Sequence, residues 1–254
     1  MDKKTLVHNF SRYACLYDRH ADVQQEAAGE LVNSIKDNGI ESLLEIGCGT
    51  GNYTLLLRDR FKRARIRATD ISERMIEVAR DKLKDKDVEF LVGDAEELVL
   101  NERFDLVTSN ACFQWFSNHS GTFAMLRNLL NKGKAISFSV FGPKTFNELN
   151  FSLKSVLNNE YFTAESFFDK GRLEELLADN FKEVRIRETS LKRQFGSLRE
   201  LMLKIKYTGT GGGGLGRKIS LSSKDIVELE NFYLNRFGRI EATYQIYFCE
   251  GKAR

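Results

Sequence analysis

The most informative stretch of the chain reads Leu43-Leu44-Glu45-Ile46-Gly47-Cys48-Gly49-Thr50-Gly51. Its apolar residues predict a short buried strand, and the glycines that follow let the backbone turn tightly and approach a ligand without Cβ atoms in the way. A dinucleotide-binding loop of the G-x-G-x-x-G type would have glycine at position 52, where this chain has Asn52. The spacing here is G-x-G-x-G, preceded by Glu45. We therefore expect a ligand-binding turn that does not hold a pyrophosphate.

Strand-like and helix-like segments alternate on both sides of this turn. Ser72 is placed to cap the second helix, and Ser197-x-x-Glu200 has the spacing of a capping box. An alternating order of this kind produces a parallel sheet with helices on both faces, so the predicted fold class is α/β with a Rossmann-like sheet. The predicted strands are 43–46, 66–69, 88–92, 104–109 and 135–141, and the predicted helices are 52–61, 72–84 and 119–130.

The segments outside this core are predicted to be mainly helical. After Pro143, the ranges 145–180 and 197–237 are interpreted as a helical cap, with further strands at 184–188 and 242–249. Residues 209–216 contain six glycines in eight positions and cannot form regular structure. We expect one domain over residues 1–254. N-terminal helices are predicted over 5–37, with one stripe formed by Phe10, Ala14, Tyr17, Ala21 and Gln24.

Composition and charge exclude several classes of protein. Of the 254 residues, 42% are hydrophobic and 30% are charged, the balance of an ordinary globular chain. No apolar run approaches the ~20 residues of a membrane span, and the amino terminus has no apolar signal core, so we expect a cytoplasmic protein. Four scattered cysteines and three histidines without metal-pair spacing predict free thiols and no metal site. A net charge of +3 is too small to indicate nucleic-acid binding.

Acidic residues follow the second and third predicted strands. Asp70 comes 19 residues after Gly51, where a carboxylate can accept hydrogen bonds from both hydroxyls of a ribose, or can interact with the dipole of the next helix. Asp94, in Gly93-Asp94-Ala95-Glu96, can accept a hydrogen bond from an adenine amino group. The carboxyl ends of parallel strands share one edge. Together with Glu45, these acids favour a ligand with a nucleoside and an ammonium group, S-adenosylmethionine (SAM), over NAD.

Over about residues 40–142 these motifs resemble the class I SAM-dependent methyltransferases. Two further patterns are Phe10-x-x-x-Ala14-x-x-Tyr17-Asp18-x-x-Ala21-x-x-Gln24 and Ser109-Asn110-Ala111-x-x-Gln114-Trp115. They look like the malonyl-acyl-carrier-protein O-methyltransferase family of biotin synthesis. Lys206-Tyr207-Thr208-Gly209-Thr210, with the later Arg217, is similar to that family's Lys-x-x-Gly-Ala/Thr segment. The glycine run at 211–214 departs from the family pattern, which has larger residues there.

The resemblance implies methyl transfer from SAM to the free carboxylate of a malonyl thioester, which gives the methyl ester that primes biotin synthesis. The implied partner is malonyl-acyl carrier protein or malonyl-coenzyme A. Such a carboxylate is already ionised at neutral pH, so no general base is needed. The candidates for substrate binding are Tyr17, Lys206, Thr210 and Arg217. The implied cofactor-binding residues are Tyr17, Glu45, Gly47, Gly49, Gly51, Asp70, Ile71, Met75, Asp94, Ala95, Asn110 and Trp115.

Other interpretations of the sequence remain open. A methyltransferase acting on another small acid or on a quinone-like ring would keep the same fold and cofactor. A non-catalytic SAM-binding module would keep the loop alone. Acyl carrier proteins are acidic as a class, so a dense group of cations is a candidate docking surface, although such groups are commonly solvated helix faces. The densest group is Lys192, Arg193, Arg199, Lys204, Lys206, Arg217 and Lys218.

Overall fold

Parallel strands of the predicted kind form the centre of the structure, a computed structural model that describes residues 3–36, 39–157, 164, 167–208 and 221–254. Seven strands make one sheet in the order β3-β2-β1-β4-β5-β7-β6. The strands are β1 (Ser42–Ile46), β2 (Arg65–Asp70), β3 (Glu89–Val92), β4 (Phe104–Asn110), β5 (Leu130–Phe141), β6 (Phe181–Phe195) and β7 (Ile240–Ala253).

The first five strands run parallel, which confirms the prediction for this half of the sheet. The last two strands differ, because β7 enters between β5 and β6 and runs antiparallel to both. Strand β6 is the edge strand and its burial alternates along its length, as the charged and apolar residues of 184–188 predicted. It is longer than expected, since pairing with β7 extends from Phe181 to Phe195.

Helices cover both faces of this sheet. They are α1 (Lys3–His20), α2 (Asp22–Ser34), α3 (Asn52–Arg60), α4 (Glu73–Lys82), α5 (His119–Asn128), α6 (Asn147–Leu157), α7 (Lys170–Asn180), α8 (Leu198–Tyr207) and α9 (Ser223–Phe237), with a 3-10 turn at Phe113–Trp115. None of the helices in the described ranges is long and apolar enough to cross a membrane.

The predicted N-terminal helical region is divided in two. Ala21 leaves helical geometry between α1 and α2, with φ −97° and ψ 29°, so the stripe expected from Phe10 to Gln24 does not continue along one helix. Phe10 and Tyr17 remain on the same face of α1, and Gln24 lies in α2. The second helix ends at Ser34, before the predicted boundary at residue 37.

The sheet is buried on both faces, which explains the continuous apolar run of β1. Leu43 belongs to a core cluster shared with α2, α3, α6, α8 and α9, whereas Leu44 and Ile46 belong to a second cluster with α5 and α7. A strand covered on both faces has no polar side to alternate with. The helices predicted as a cap therefore pack on both sides of the sheet, α6, α8 and α9 in the cluster of Leu43 and α7 in the cluster of Leu44.

Side-chain caps fix where three helices begin. Ser72 accepts a hydrogen bond from the Met75 amide at 3.2 Å, as predicted. Ser197 accepts from the Glu200 amide at 3.2 Å, but the Glu200 carboxylate accepts from the Gly196 amide instead of completing the expected capping box. A complete capping box forms at the start of α9, between Ser222 and its third following residue.

Gly51 provides a test of how the loop after β1 is held. It has φ +82°, and a Cβ atom there would lie 2.6 Å from Leu83 Cδ1 and 3.1 Å from Ala79 Cβ. We expect Gly51→Ala to lower the free energy of unfolding by about 1–3 kcal/mol, measured by denaturant titration. Gly29→Ala is the control, because Gly29 lies inside α2 with nothing within 4 Å of an added Cβ. That control should stabilise the protein by up to about 1 kcal/mol. Equal effects of the two changes would contradict the claim that the loop after β1 requires glycine at position 51.

Candidate active site

A cavity lies at the carboxyl ends of β1 to β4, covered by α1. The empty space within it and at its mouth amounts to about 740 Å³. The lining comes from α1, from the glycine loop after β1 and from the loops after the next three strands. The residues are Lys3, Leu6, Phe10, Tyr17, Gly47, Gly49, Thr69, Asp70, Ile71, Met75, Gly93, Asp94, Ala95, Glu96, Asn110, Ala111, Cys112, Trp115 and Phe116.

Most of the residues that the sequence marked for a cofactor meet in this cavity. Two do not line it: Glu45 is buried, and Gly51 packs against α4. The other ten, which do line it, are Tyr17, Gly47, Gly49, Asp70, Ile71, Met75, Asp94, Ala95, Asn110 and Trp115.

Asp70 holds the glycine loop against the end of β2. Its Oδ2 accepts a hydrogen bond from the Gly49 amide at 2.9 Å, and its Oδ1 accepts from the Ser72 amide at 2.8 Å. Burial raises the pKa of the Asp70 carboxyl, and the two backbone hydrogen bonds offset part of that effect. A Cβ atom on Gly49 would meet nothing within 4 Å, so the backbone of the loop is open to the cavity.

Asp94 lies at the far end of the same edge, beside Lys3 of α1. The Lys3 ammonium is 2.5 Å from Asp94 Oδ2 and 2.7 Å from Glu96 Oε2. Glu96 Oε1 also accepts from the Ser117 amide at 2.9 Å, which ties the loop after β3 to the loop after β4. Sequence analysis missed Lys3, because nothing in a local pattern shows a contact across 91 residues.

A smaller cavity, of about 360 Å³, adjoins the first across the glycine loop. Tyr17, Gly47, Gly49 and Asn110 line both cavities. Asn110 is fixed from two sides, because its amide donates to the Gln24 carbonyl at 3.0 Å and its Oδ1 accepts from the Ser139 hydroxyl at 2.7 Å. Tyr17 and Asn110, both predicted from sequence, therefore lie where the two cavities meet.

Asp18 attaches the end of α1 to the loop after β1. Its carboxylate accepts hydrogen bonds from the Thr50 hydroxyl at 2.6 Å and the Asn52 amide at 2.9 Å, and it pairs with Lys82 at 2.7 Å. Hydrogen bonds and charge from Lys82 hold the pKa of Asp18 below its usual value although partial burial acts in the opposite direction. The sequence motif contained Asp18, but no role could be assigned to it before these partners were known.

Aromatic rings close the cavity beside the only tryptophan. Phe10 of α1 meets Trp115 edge to face, with ring centroids 6.2 Å apart. Trp115 in turn meets Phe167 edge to face at 5.3 Å. Such contacts bury apolar area and keep water from the interior of a site. The prediction that placed Trp115 at the ligand edge agrees with its place in the lining.

The residues predicted to hold the substrate carboxylate are not brought together as a set. Tyr17 lines both cavities, whereas Lys206 is exposed, with its ammonium 5.7 Å from the Tyr13 ring and 5.7 Å from the Tyr207 ring. Thr210 and Arg217 lie outside the described residues, as does the glycine run at 211–214.

The basic group proposed for docking is largely neutralised by acids elsewhere in the fold. Arg193 pairs with Glu26 and, at 3.2 Å, with Asp22, and Lys204 also pairs with Asp22. These acids lie in α2, more than 160 residues away in the chain, so charge density in the sequence did not show them.

The remaining members of that group differ in their surroundings. Lys192 pairs with Glu241 of β7 at 3.0 Å. Lys218, like Arg217, is outside the described residues. Arg199 and Lys206 stay exposed. The expectation of one continuous basic surface is therefore wrong for the central members of the group.

The Tyr17 hydroxyl and the Cys112 thiol in the cavity wall are not activated as bases at neutral pH. Burial raises the pKa of the Tyr17 hydroxyl and of the Cys112 thiol, so both stay protonated. None of the three histidines, all of which lie in described segments, lines the cavity. Among the described residues there is no cluster of histidine, cysteine and acidic side chains that could hold a metal ion. The arrangement is suited to binding and orienting an acceptor that is already ionised.

Comparison with known proteins identifies the class of this fold. A methyltransferase domain family matches residues 44–138. The malonyl-[acyl-carrier protein] O-methyltransferase of Acetivibrio thermocellus is 34% identical over 271 residues, which cover 100% of this chain and 95% of the relative. A SAM-dependent methyltransferase of Thermotoga maritima, described as a possible histamine N-methyltransferase, matches with a TM-score of 0.60 at 18% identity, over 98% of this chain and 100% of its own.

A further solved structure is phosphoethanolamine N-methyltransferase 2 of Haemonchus contortus in complex with SAM, with a TM-score of 0.60 and 17% identity over 96% of this chain and 57% of its own. The structural matches show the fold, and the full-length sequence match shows the family. The chain is a class I SAM-dependent methyltransferase. It belongs to the malonyl-[acyl-carrier protein] O-methyltransferase family. The expected fold class, cofactor and family are confirmed.

Glu45 provides a test of how burial affects the carboxyl group beneath the glycine loop. Burial, reinforced by the nearby charge of Asp70, raises the pKa of Glu45 to about 8. In an unfolded chain this carboxyl titrates near ~4.3, so above that pH the unfolded state is ionised while the folded state keeps its proton. The folded state therefore loses stability as pH rises from about 4.5 to 8.

Glu45→Gln removes this titration. We expect its free energy of unfolding, relative to the natural protein, to rise by up to about 4 kcal/mol between about pH 5 and pH 8. Denaturant titrations at several pH values measure the difference. The exposed Glu97, changed to glutamine in the same way, is the control. A difference that does not depend on pH would show that Glu45 is ionised in the fold.

Proposed function

We propose that this chain transfers a methyl group from SAM to the free carboxylate of a malonyl thioester on acyl carrier protein. The product is the methyl ester that primes biotin synthesis. The observation behind the proposal is a cavity in which a glycine loop lies beside the carboxylates of Asp70 and Asp94, and in which neither the Tyr17 hydroxyl nor the Cys112 thiol is activated as a base. The identity of the acceptor rests on the name of the full-length relative.

The cavity has the features that a nucleoside with an amino-acid tail requires. In this proposal Asp70 accepts hydrogen bonds from the ribose hydroxyls. It lines the cavity beside the glycine loop, where its Oδ2 accepts from the Gly49 amide. Asp94 is placed to accept from the adenine amino group once Lys3 shifts from it. The backbone at Gly47 and Gly49, with Ile71, Met75, Ala95 and Trp115, forms the walls between them.

When bound, SAM supplies a methyl group on a sulfonium, and a carboxylate oxygen accepts that methyl to give a methyl ester and S-adenosylhomocysteine. The side chains of this chain then have to position the acceptor and exclude water, which contributes through proximity and alignment. Tyr17 and Asn110 lie where the two cavities meet and are the best placed to orient the acceptor. Lys206, Thr210 and Arg217 remain candidates for holding the malonyl carboxylate, and Thr210 and Arg217 lie outside the described residues.

We propose that the reaction takes place in the cytoplasm. The four cysteines Cys15, Cys48, Cys112 and Cys249 are free thiols, which suits the reducing cytoplasm. We propose that the malonyl group is presented on carrier protein in preference to coenzyme A, and that nucleic acid is not a substrate.

The reaction product gives the direct test of the proposed chemistry. With methyl-labelled SAM and malonyl-carrier protein, we expect a carrier that is heavier by one methylene group and that loses the label on mild alkaline treatment. Because the acceptor is already ionised, the rate should stay level between about pH 6 and 8. Label on a nitrogen, sulfur or ring carbon, or a rate that rises steeply with pH, would point to a different acceptor.

Asp70 is the residue on which cofactor affinity should depend most. We expect Asp70→Ala to weaken SAM binding by about 1.5–3 kcal/mol, measured by calorimetry, because hydrogen bonds to a charged group are lost. The exposed Asp179→Ala is the matched control and should bind SAM normally. Thermal unfolding without ligand separates lost affinity from lost folding, since Asp70 also supports Gly49 and Ser72. Unchanged affinity in folded Asp70→Ala would remove Asp70 from the cofactor site.

A further inference from the structure

The outward face of α1 carries a row of cations. Its exposed residues are separated by four, four, three and four positions, which places them on one side of the helix. No acid is among them. They are Lys4, His8, Arg12, Cys15 and Arg19.

The two arginines of this face have no acidic partner among the described residues. Among the described carboxylates none forms an ion pair with Arg12 or Arg19. The one described acid of α1, Asp18, is turned toward Thr50 and Lys82 and does not neutralise the outer face. By contrast, Arg172 of α7 is paired with Glu175 of its own helix at 3.1 Å.

Helix α8 continues this charged face. Lys206 is exposed, and its ammonium shares the ring of Tyr13 with the Arg12 guanidinium, at 5.7 Å and 5.4 Å from the ring centroid respectively. Tyr13 also meets the Tyr207 ring edge to face at 5.2 Å. We define the α1 face as Arg12, Arg19 and Lys206, with Tyr13 in contact with both Arg12 and Lys206.

The opposite side of the same helix lines the cavity, through Lys3, Leu6, Phe10 and Tyr17. An α-helix with its side chains is about 10–12 Å across, so a single helix separates the α1 face from the proposed reaction site. A thioester on a flexible arm therefore has only one helix to pass when its carrier rests on the α1 face.

We propose that the α1 face is the docking surface for the acidic carrier protein that delivers the malonyl thioester. This inference rests on the proposed function, and the argument for this occupant is charge complementarity. The whole chain has a net charge of only +3, so attraction of an acidic partner needs cations that are gathered together and unpaired. Arg12, Arg19 and Lys206 form no ion pair with any described carboxylate, whereas Arg193 is neutralised by Asp22 and Glu26 of α2.

The test is the double reversal Arg12→Glu with Arg19→Glu. Its matched control is Lys62→Glu with Arg63→Glu. These two exposed cations come just before β2, at the amino ends of the parallel strands. Both variants change the charge equally. Each is assayed with malonyl-carrier protein and with a small malonyl thioester of N-acetylcysteamine, at low and at high salt.

We expect the α1 reversal to lower kcat/KM for the carrier-borne substrate by about tenfold or more at low salt, and to leave the small thioester unchanged. The control pair should match the natural protein on both substrates. Exposed charges are screened beyond ~8 Å at physiological ionic strength. Added salt should therefore lower kcat/KM of the natural protein for the carrier-borne substrate and reduce its difference from the α1 reversal.

Several outcomes would overturn the docking surface. An equal loss on both substrates would mean that the reversal damages the fold or the site. No loss on the carrier, or the same loss in the control pair, would remove the α1 face from recognition. If the reversal abolished binding of labelled RNA and left the carrier rate intact, the surface would bind nucleic acid. Failure of the proposed function is distinct, because the natural protein would then methylate neither thioester.

Discussion

The end of β2 is the point on which the site depends. The Thr69 carbonyl accepts hydrogen bonds from the Gly47 and Cys48 amides, at 2.8 Å and 2.9 Å, and so fixes the glycine loop after β1. One residue later, the Asp70 carboxylate accepts from the Gly49 amide and its carbonyl accepts from the Gly93 amide at 2.9 Å. A single strand end therefore orders the loops on both of its neighbours, and the cavity between those loops has a fixed floor.

Helix α1 completes the site from outside the sheet. At one end Lys3 pairs with Asp94 and Glu96, and at the other Asp18 binds Thr50 and Lys82. Asp94, Glu96 and Thr50 lie in loops that follow strands, and Lys82 ends α4, so the position of α1 is coupled to these loops and to α4. The sheet provides the floor of the cavity, and α1 provides its cover and, in our proposal, the surface that receives the carrier.

Features that depend on local spacing could be predicted from the sequence. The glycine loop, Asp70 and Asp94 each follow a strand directly, and parallel strands bring their carboxyl ends to one edge. The apolar run of β1 likewise indicated a strand buried on both faces.

Features that depend on distant partners could not be predicted. The pairing of Arg193 with Asp22 joins residues 171 apart, and the contact of Lys3 with Asp94 joins residues 91 apart. A dense group of cations in the sequence does not show which of them meet an acid in the fold. The antiparallel direction of β7 also depends on where α8 and α9 place the chain, which no strand pattern records.

A crystal structure with S-adenosylhomocysteine bound tests most directly the claim that the β2 end and α1 form the cofactor site. The account predicts the nucleoside along the loops after β1 to β3, with both ribose hydroxyls within about 3 Å of the Asp70 carboxylate and the adenine beside Asp94. It also predicts that the amino-acid end of the ligand lies near Gly47 and Tyr17. A ligand bound without contact to Asp70 would contradict this account. So would a ligand in the groove beside Lys134 and Arg185, at the amino ends of the parallel strands.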